Sequence, residues 1–234
     1  FNKLLDDNID CNIVALLATW YSNQQACVQW KNTISSPISI GNGTRQGGLL
    51  SPYFFTRYIR ELICSVVQSN VGCNIGGVFY NLLAYADDIV LLAPSWQALK
   101  LLINLLSSCA VDINMLCNVT KTVCMVFKPK RHNMIVGSSF PNFTLDGITL
   151  QFVSEFRYLG HIVNNEFSDD NDIKREIRLL FMRTNILIRR FNKCSVGVKL
   201  ALFKAYCMCI YDAGIWLHYS VTIFNKLKSC TINV

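Results

Sequence analysis

Two aspartates stand side by side at Asp87 and Asp88, between the apolar runs Leu82–Ala84 and Ile89–Ala93. Neighbouring carboxylates cannot be buried unpaired, because desolvation and mutual repulsion both oppose it. They belong at a hairpin tip, beside a cation, or both. Short β-branched apolar runs read as buried strands. The stretch Asn81 to Pro94, NLLAYADDIVLLAP, therefore predicts strand, turn and strand with the carboxylates at the apex. Such an apex suits a hard divalent cation, which takes oxygen ligands. A polar turn with no ligand carries the same pair, and the pair alone does not choose.

A second chemistry-bearing stretch precedes it. Gly41 to Pro52, GNGTRQGGLLSP, holds four glycines in eight positions, with Arg45 and Gln46 as donors. Glycines let a backbone approach a ligand or adopt positive φ; a flexible connector has the same composition. Ser51 and Pro52 form a favourable cap and first-turn pair. They open a helix whose stripe runs through Phe54, Phe55, Tyr58, Ile59, Leu62, Ile63, Val66 and Val67. Gly72–Tyr80, with Gly76-Gly77, reads as a turn and a strand leading into the acidic hairpin.

Other elements must hold these two. Leu4, Leu5, Ile9, Ile13, Leu16, Leu17 and Trp20 predict one helix over the first twenty residues. Two strands joined at Ser35-Ser36-Pro37 follow. After Pro94, Ser95 is the N-cap of a helix with Trp96, Leu99, Leu102, Ile103, Leu106, Cys109 and Ile113 on one face, reaching about Leu116. Val123–Phe127 predicts a strand. Asp146-Gly147 predicts a hairpin within 143–150. Ser168–Lys193 reads as a helix with acid first and base last, in accord with the helix dipole. Its packed face is Ile173, Ile177, Leu180, Phe181, Ile186 and Ile188. A last helix is expected over Val196–His218, with Leu200, Leu202, Phe203, Tyr206, Cys207, Ile210, Tyr211 and Trp216.

Composition narrows the class. The 234 residues are 52% hydrophobic and 16% charged, which excludes a disordered chain and provides for a sizeable core. The net charge of +7 lies wholly within residues 121–204, a distribution that suits a phosphate backbone. Eleven cysteines without a CxxC pair, and scattered His132, His161 and His218, do not make a zinc site. The cysteines read as reduced, buried, small apolar residues. Sequons at Asn42, Asn118 and Asn142 are expected to be unmodified, as no signal peptide is recognisable. The most apolar stretch, Leu200–Leu217, is interrupted by Lys204 and Asp212 and reads as a packed helix rather than a membrane span. A start at Phe1 and a surplus of apolar residues read as a fragment of something longer.

Four stretches carry a family resemblance. Tyr85-Ala86-Asp87-Asp88 resembles the YxDD catalytic box of reverse transcriptases. GTRQGGLLSP resembles the RQGxxLSP box that precedes it in retroelement polymerases, with Gly48 where the family often has an acidic or polar residue. Cys117–Thr122 is similar to the next box, roughly LNxxKT, and Phe156-Arg157-Tyr158-Leu159-Gly160 resembles the FxYLG box. In that order they resemble a LINE-like (non-LTR) retrotransposon reverse transcriptase.

The resemblance implies an α+β fold: a polymerase palm, antiparallel sheet packed on helices, over 1–165, and a helical thumb over 166–234. It implies an RNA-directed DNA polymerase in which a primer 3′-hydroxyl attacks the α-phosphorus of a deoxynucleoside triphosphate. Two Mg²⁺ ions (Mn²⁺ as substitute), ~4 Å apart, assist. Asp87 is then the principal metal ligand and Asp88 the second. Arg45, Gln46, Gly47, Ser51 and Tyr85 face template, nucleotide and primer end. Lys121 serves the leaving pyrophosphate, and Tyr158, Leu159 and Gly160 support the primer. The partners implied are RNA template, DNA primer, deoxynucleoside triphosphates and the N-terminal part of a parent polyprotein, in cytoplasm and nucleus, with no membrane. One family feature is not seen: a further aspartate box, roughly DxxKAFD, before Gly41. Asp6, Asp7 and Asp10 sit in a helical pattern without its context. The fingers and first palm strand are thus expected to be missing, and this stretch alone to be inactive and to leave a sheet edge open. A non-catalytic nucleic-acid-binding retroelement remnant is the competing reading.

Overall fold

The computed structural model describes residues 1–41, 43–128 and 140–232, so Asn42 and His132 lie outside the described residues. The first helix is two. Asn8 adopts φ +60° between α1 (Asn2–Asp6) and α2 (Cys11–Ser22). Asp10 accepts from the Asn12 amide at 2.8 Å and caps α2. Leu4, Val14 and Leu17 are buried against Tyr53 and Phe54, whereas Ile13, Leu16 and Trp20 stay exposed.

Four two-residue strands follow: β1 (Gln25–Ala26), β2 (Gln29–Trp30), β3 (Thr33–Ile34) and β4 (Ile38–Ser39). The β2–β3 turn falls on Lys31, φ +53°. Ser35-Ser36-Pro37 instead carries the chain to β4, which pairs antiparallel with β1. Next come α3 (Ser51–Gln68), β5 (Cys73–Ile75) and β6 (Val78–Tyr80) around Gly76-Gly77. Then β7 (Leu82–Tyr85) and β8 (Asp88–Leu91) pair antiparallel. Ser95 accepts from the Ala98 amide at 3.3 Å and caps α4 (Trp96–Asp112). That helix stops short of Leu116, because Asn114 turns to φ +52°.

Only Val123–Cys124 of the expected 123–127 strand forms, as β9. β10 (Thr144–Leu145) and β11 (Ile148–Thr149) make the expected hairpin, Asp146 and Gly147 both taking positive φ. β12 (Gln151–Phe152) runs parallel to β9. β13 (Glu155–Tyr158) and β14 (His161–Asn164) form an antiparallel hairpin.

α5 (Asp170–Arg190) buries Asp172, Ile173, Glu176, Leu180, Thr184 and Leu187; Phe181, Ile186 and Ile188, expected inside, are exposed. The expected 196–218 helix is broken. α6 (Val196–Leu202) passes into a π-turn over Phe203–Cys207, and a 3₁₀ turn follows over Asp212–Ile215. The break lets Asp212 and Trp216 turn inward onto α5. An unanticipated α7 (Val221–Ile232) closes the described chain.

The chain forms two compact units, residues 1–118 with 143–148, and residues 119–142 with 149–234. The first has its core on α3 and α4, with Ile59, Leu62, Val66, Leu102, Ile103 and Ala110 buried. The second gathers Ile173, Trp216 and Leu227 in one cluster, and Leu180, Leu187, Phe203 and Cys207 in another.

Instead of one continuous antiparallel sheet, the described strands pair two by two. Strands of two to four residues have few ladder bonds, and isolated ribbons of this kind depend on helices for support. The cysteines also depart from expectation. All eleven are free, but only Cys124 and Cys207 are buried. Among the described residues no helix is long and apolar enough to cross a membrane.

Candidate active site

The acidic pair lies where its sequence context puts it, at the apex of a β-hairpin. Tyr85 pairs with Asp88 across β7–β8, leaving Ala86 and Asp87 as the two turn residues. Ala86 takes φ +51°, the left-handed conformation that a tight hairpin turn requires. The strands are less buried than their apolar sequence implied. Leu83, Ala84 and Tyr85 are exposed, as are both aspartates, because β7–β8 pairs with no further described strand. Among the described residues neither Asp87 nor Asp88 is ion-paired. Two adjacent, exposed, uncompensated carboxylates supply only oxygen donors, a set that fits a hard divalent cation.

The base of the hairpin is fixed with more care than its tip. Leu92 donates to the Asn81 carbonyl at 2.9 Å, closing the ribbon one pair below β7–β8. Asn81 is only 2% exposed, and its side-chain amide donates to the Val66 carbonyl of α3 at 2.7 Å. Gly72, at φ +139°, lies so close to Asn81 that a Cβ there would collide with it. A buried amide at the C-terminal turn of α3 therefore sets where the hairpin starts. An asparagine just before an apolar run was visible in the sequence; its partner, fifteen residues upstream, was not.

The other end of α3 holds the glycine-rich loop. Arg45 to Gly48 form a turn, with Gly47 at φ +77° and Gly48 donating to the Arg45 carbonyl at 3.0 Å. Ser51 does not cap α3. Its hydroxyl donates to the same Arg45 carbonyl at 2.6 Å, so it fixes the loop. Arg45, Gln46 and Gly47 are exposed. α3 thus tethers the loop at one end and the hairpin at the other, about 27 Å apart along its axis. The six steps from Asn81 to Asp87 span roughly 20 Å of extended chain.

Asp6 is exposed at the end of α1, and Asp7 and Asp10 have other partners. Asp7 is ion-paired with Arg57 at 3.1 Å and Arg60 at 3.2 Å, and Asp10 caps α2. Among the described residues no third carboxylate joins the hairpin by strand pairing.

The remaining sequence-singled residues belong to the second unit. Lys121 is exposed in the turn before β9. Tyr158, Leu159 and Gly160 form the end of β13 and the β13–β14 turn, with Leu159 at φ +48° and Gly160 at φ +95°. Lys174, Arg178, Arg189 and Arg190 are exposed along α5.

Beside that turn is a buried polar group that sequence reasoning missed. Asp172 is fully buried. Its carboxylate accepts from the Ile162 amide at 3.0 Å, Arg175 at 2.8 Å and the Trp216 indole at 2.9 Å. His161 Nδ1 lies 3.0 Å from it, and Arg175 also reaches Asp212 and Glu176 at 2.7 Å each. Asp169 accepts from the Leu217 and His218 amides at 2.7 Å, and Asp170 from Ser220. The acidic start of α5 thus straps residues 212–220 in place. His161, Asp172 and Asp212 are close enough to ligate a metal. Arg175 already supplies the positive charge between the two carboxylates, so the group is a salt-bridge network. Burial pushes the Asp172 carboxyl up, but hydrogen bonds from Arg175, Trp216 and Ile162 and the charge of His161 hold it below the usual value. Arg175 is raised: burial opposes its charge, but the hydrogen bond and charge of Asp172, with Glu176 and Asp212, outweigh that.

Comparison with known proteins decides the family. The family model described as "Reverse transcriptase (RNA-dependent DNA polymerase)" matches residues 7–163. The chain belongs to the reverse transcriptase family. That family is one of RNA-directed DNA polymerases, hence of nucleotidyltransferases, and is divalent-metal dependent. Its members use an RNA template, a primer and deoxynucleoside triphosphates.

Three similar proteins are retroelement products. The chain is 29% identical over 128 residues to the "Retrovirus-related Pol polyprotein from type-1 retrotransposable element R2" of Popillia japonica, covering 53% of this chain and 18% of that protein. It is 23% identical over 227 residues to the "RNA-directed DNA polymerase from mobile element jockey" of Drosophila funebris, covering 93% and 23%. The corresponding polyprotein of type-2 element R2DM of Drosophila melanogaster is 28% identical over 174 residues, covering 66% and 16%. This reverse transcriptase domain is LINE-like (non-LTR), and it spans less than a quarter of the length of each of these relatives.

Proposed function

We propose that this chain is the palm and thumb portion of a non-LTR retroelement RNA-directed DNA polymerase, with the β7–β8 apex as its metal-binding centre. The supporting observation is the exposed, uncompensated pair Asp87 and Asp88 on a ribbon anchored at its base by Asn81. Residues 1–165 are assigned to the palm and 166–234 to the thumb. Asp87 is the principal ligand for Mg²⁺, or Mn²⁺ in its place, and Asp88 the second. A divalent cation held by Asp87 and Asp88 would supply Lewis-acid chemistry toward the primer hydroxyl and the triphosphate.

The chain's own side chains do the rest. Tyr85, exposed one residue before the turn, lies against the primer end. Arg45 and Gln46 contact template and nucleotide from a loop that Gly47 and Ser51 shape. Lys121 donates to the leaving pyrophosphate. Tyr158, Leu159 and Gly160 support the primer strand, and the exposed basic side chains of α5 follow the duplex backbone. The relatives are named as polymerases or Pol polyproteins, so the reading as a non-catalytic remnant is not favoured.

Two carboxylates without a third on a paired strand, as among the described residues, hold a cation weakly, so the chain by itself is assigned metal binding without efficient synthesis. Titration of Mn²⁺ into the isotope-labelled chain tests this. Amide signals of residues 85–90 are expected to broaden selectively, and the Asp87→Asn, Asp88→Asn double variant to lose the effect. Equal broadening in wild type and variant refutes the metal site. In parallel, primer extension on poly(rA) with Mg²⁺ or Mn²⁺ is expected to give trace product at most. Robust synthesis abolished by Asp87→Ala overturns the inactivity while leaving the site assignment standing.

A further inference from the structure

The β13–β14 turn has a neighbour that neither the sequence boxes nor the family match assigns. Tyr211 donates its hydroxyl hydrogen bond to the Leu159 carbonyl at 3.2 Å. Its oxygen lies so close over Gly160 that a Cβ at that position would collide with it. Gly160 also takes φ +95°, so the turn needs glycine on two counts. The rest of the Tyr211 ring is open: the residue is 74% exposed, and Leu159 beside it is 43% exposed.

An exposed tyrosine on a loose loop would sample many orientations. This one is held at both ends. Its hydroxyl is fixed on the turn, and its backbone runs directly into Asp212, which is 2% exposed and bound by Arg175 at 2.7 Å. Four residues on, the buried Trp216 is tied to Asp172. The strap that Asp169, Asp170 and Asp172 hold against α5 is thus preceded by an aromatic ring whose hydroxyl end meets the tip of the hairpin and whose remainder is exposed. A pre-oriented aromatic face is what a nucleobase stacks on, with little entropy lost on contact.

We propose that Tyr211 is a nucleic-acid-contacting residue of this turn and stacks on the terminal base of a primer strand. The inference rests on the reading of Tyr158–Gly160 as the primer support. The hydroxyl orients the ring, and the ring makes the contact.

The test uses the full chain and a hairpin RNA–DNA primer–template with 2-aminopurine as the 3′-terminal base. Binding is followed by anisotropy, and stacking by quenching of the aminopurine. Tyr211→Phe keeps the ring and is expected to retain quenching, with affinity within about tenfold, the loss of one neutral hydrogen bond. Tyr211→Leu keeps bulk without a π face. It and Tyr211→Ala are expected to lose the quenching and bind roughly 5- to 100-fold more weakly. If Leu and Phe variants behave alike, or both Leu and Ala variants match wild type, the stacking role is overturned. Tyr158→Ala, which adds no atom at the Tyr211 hydroxyl, separates the two levels. If it weakens binding while Tyr211→Ala does not, only this inference falls. If neither variant changes binding, or the wild-type chain does not bind, the primer-support reading falls with it.

Discussion

The most demanding consequence of this fold concerns Asp172→Asn. The substitution conserves shape but removes the charge and turns one acceptor into a donor. In the wild type one carboxylate oxygen serves the Ile162 amide and Arg175, and the other serves the Trp216 indole. Asparagine can keep the first pair through its carbonyl, without the charge assistance. Its amide then faces the indole N–H donor to donor. Loss of a charge-assisted bond costs about 1.5–3 kcal/mol, and a buried unsatisfied donor about 1–3 kcal/mol. Arg175 retains Glu176 and Asp212, so a full unpaired-cation cost does not apply. The sum, roughly 2.5–6 kcal/mol, is a large share of the ~5–15 kcal/mol that holds a typical domain.

At roughly 2–4 °C per kcal/mol for a chain of this length, the melting temperature should fall by more than about 5 °C. Hydrogen exchange should speed up across β13, β14, α5 and residues 212–220, while α3 and α4 keep their protection. The pH dependence supplies an independent check. A folded-state pKa held below the unfolded value stabilises above the ordinary aspartate pKa of about 3.9. That contribution drains as pH falls through the lower folded value. The gap between wild type and variant should therefore close as pH falls below about 4. A melt within about 3 °C of wild type at pH 7, or a gap that widens below about pH 4, would refute the reasoning.

Two further outcomes probe the support of the acidic hairpin. Asn81→Ala removes the amide that ties the ribbon to the Val66 carbonyl, and should destabilise by about 1–3 kcal/mol. Amides of β7 and β8 should then exchange faster than those of α4; uniform exchange across the unit would contradict the anchoring role. Ser95→Ala removes the cap from the helix that follows β8, and should cost about 1 kcal/mol in a denaturant melt, with an unchanged m-value.

Much of the site was legible because its determinants are local. An acidic pair between apolar runs leaves few places for its charges, and a hairpin apex is one of them. Asp146-Gly147 and Ser95 announced a turn and a cap through their own backbone and side-chain chemistry. Readings that failed depended on partners far along the chain. Phe181, Ile186 and Ile188 have the periodicity of a packed face, yet α5 turns Asp172 and Glu176 inward. A helix over 196–218 has the right periodicity too. It breaks because Asp212 and Trp216 are bound by Arg175 and Asp172, some 37 and 44 residues away.

The sequence by itself determined the kind of chemistry: paired carboxylates on a ribbon, a glycine loop with an arginine and a glutamine, and basic charge toward the C-terminal half. Side-chain type, local turn preference and spacing carry that information without reference to distant residues. Tertiary structure alone decided what holds those groups. Asn81 on α3 and the carboxylates of α5 on the 212–220 strap are long-range pairings of polar groups, while Ser51 reaches back only six residues to the Arg45 carbonyl. Their partners follow from the way the chain folds back on itself, because a buried donor must find an acceptor wherever packing brings one.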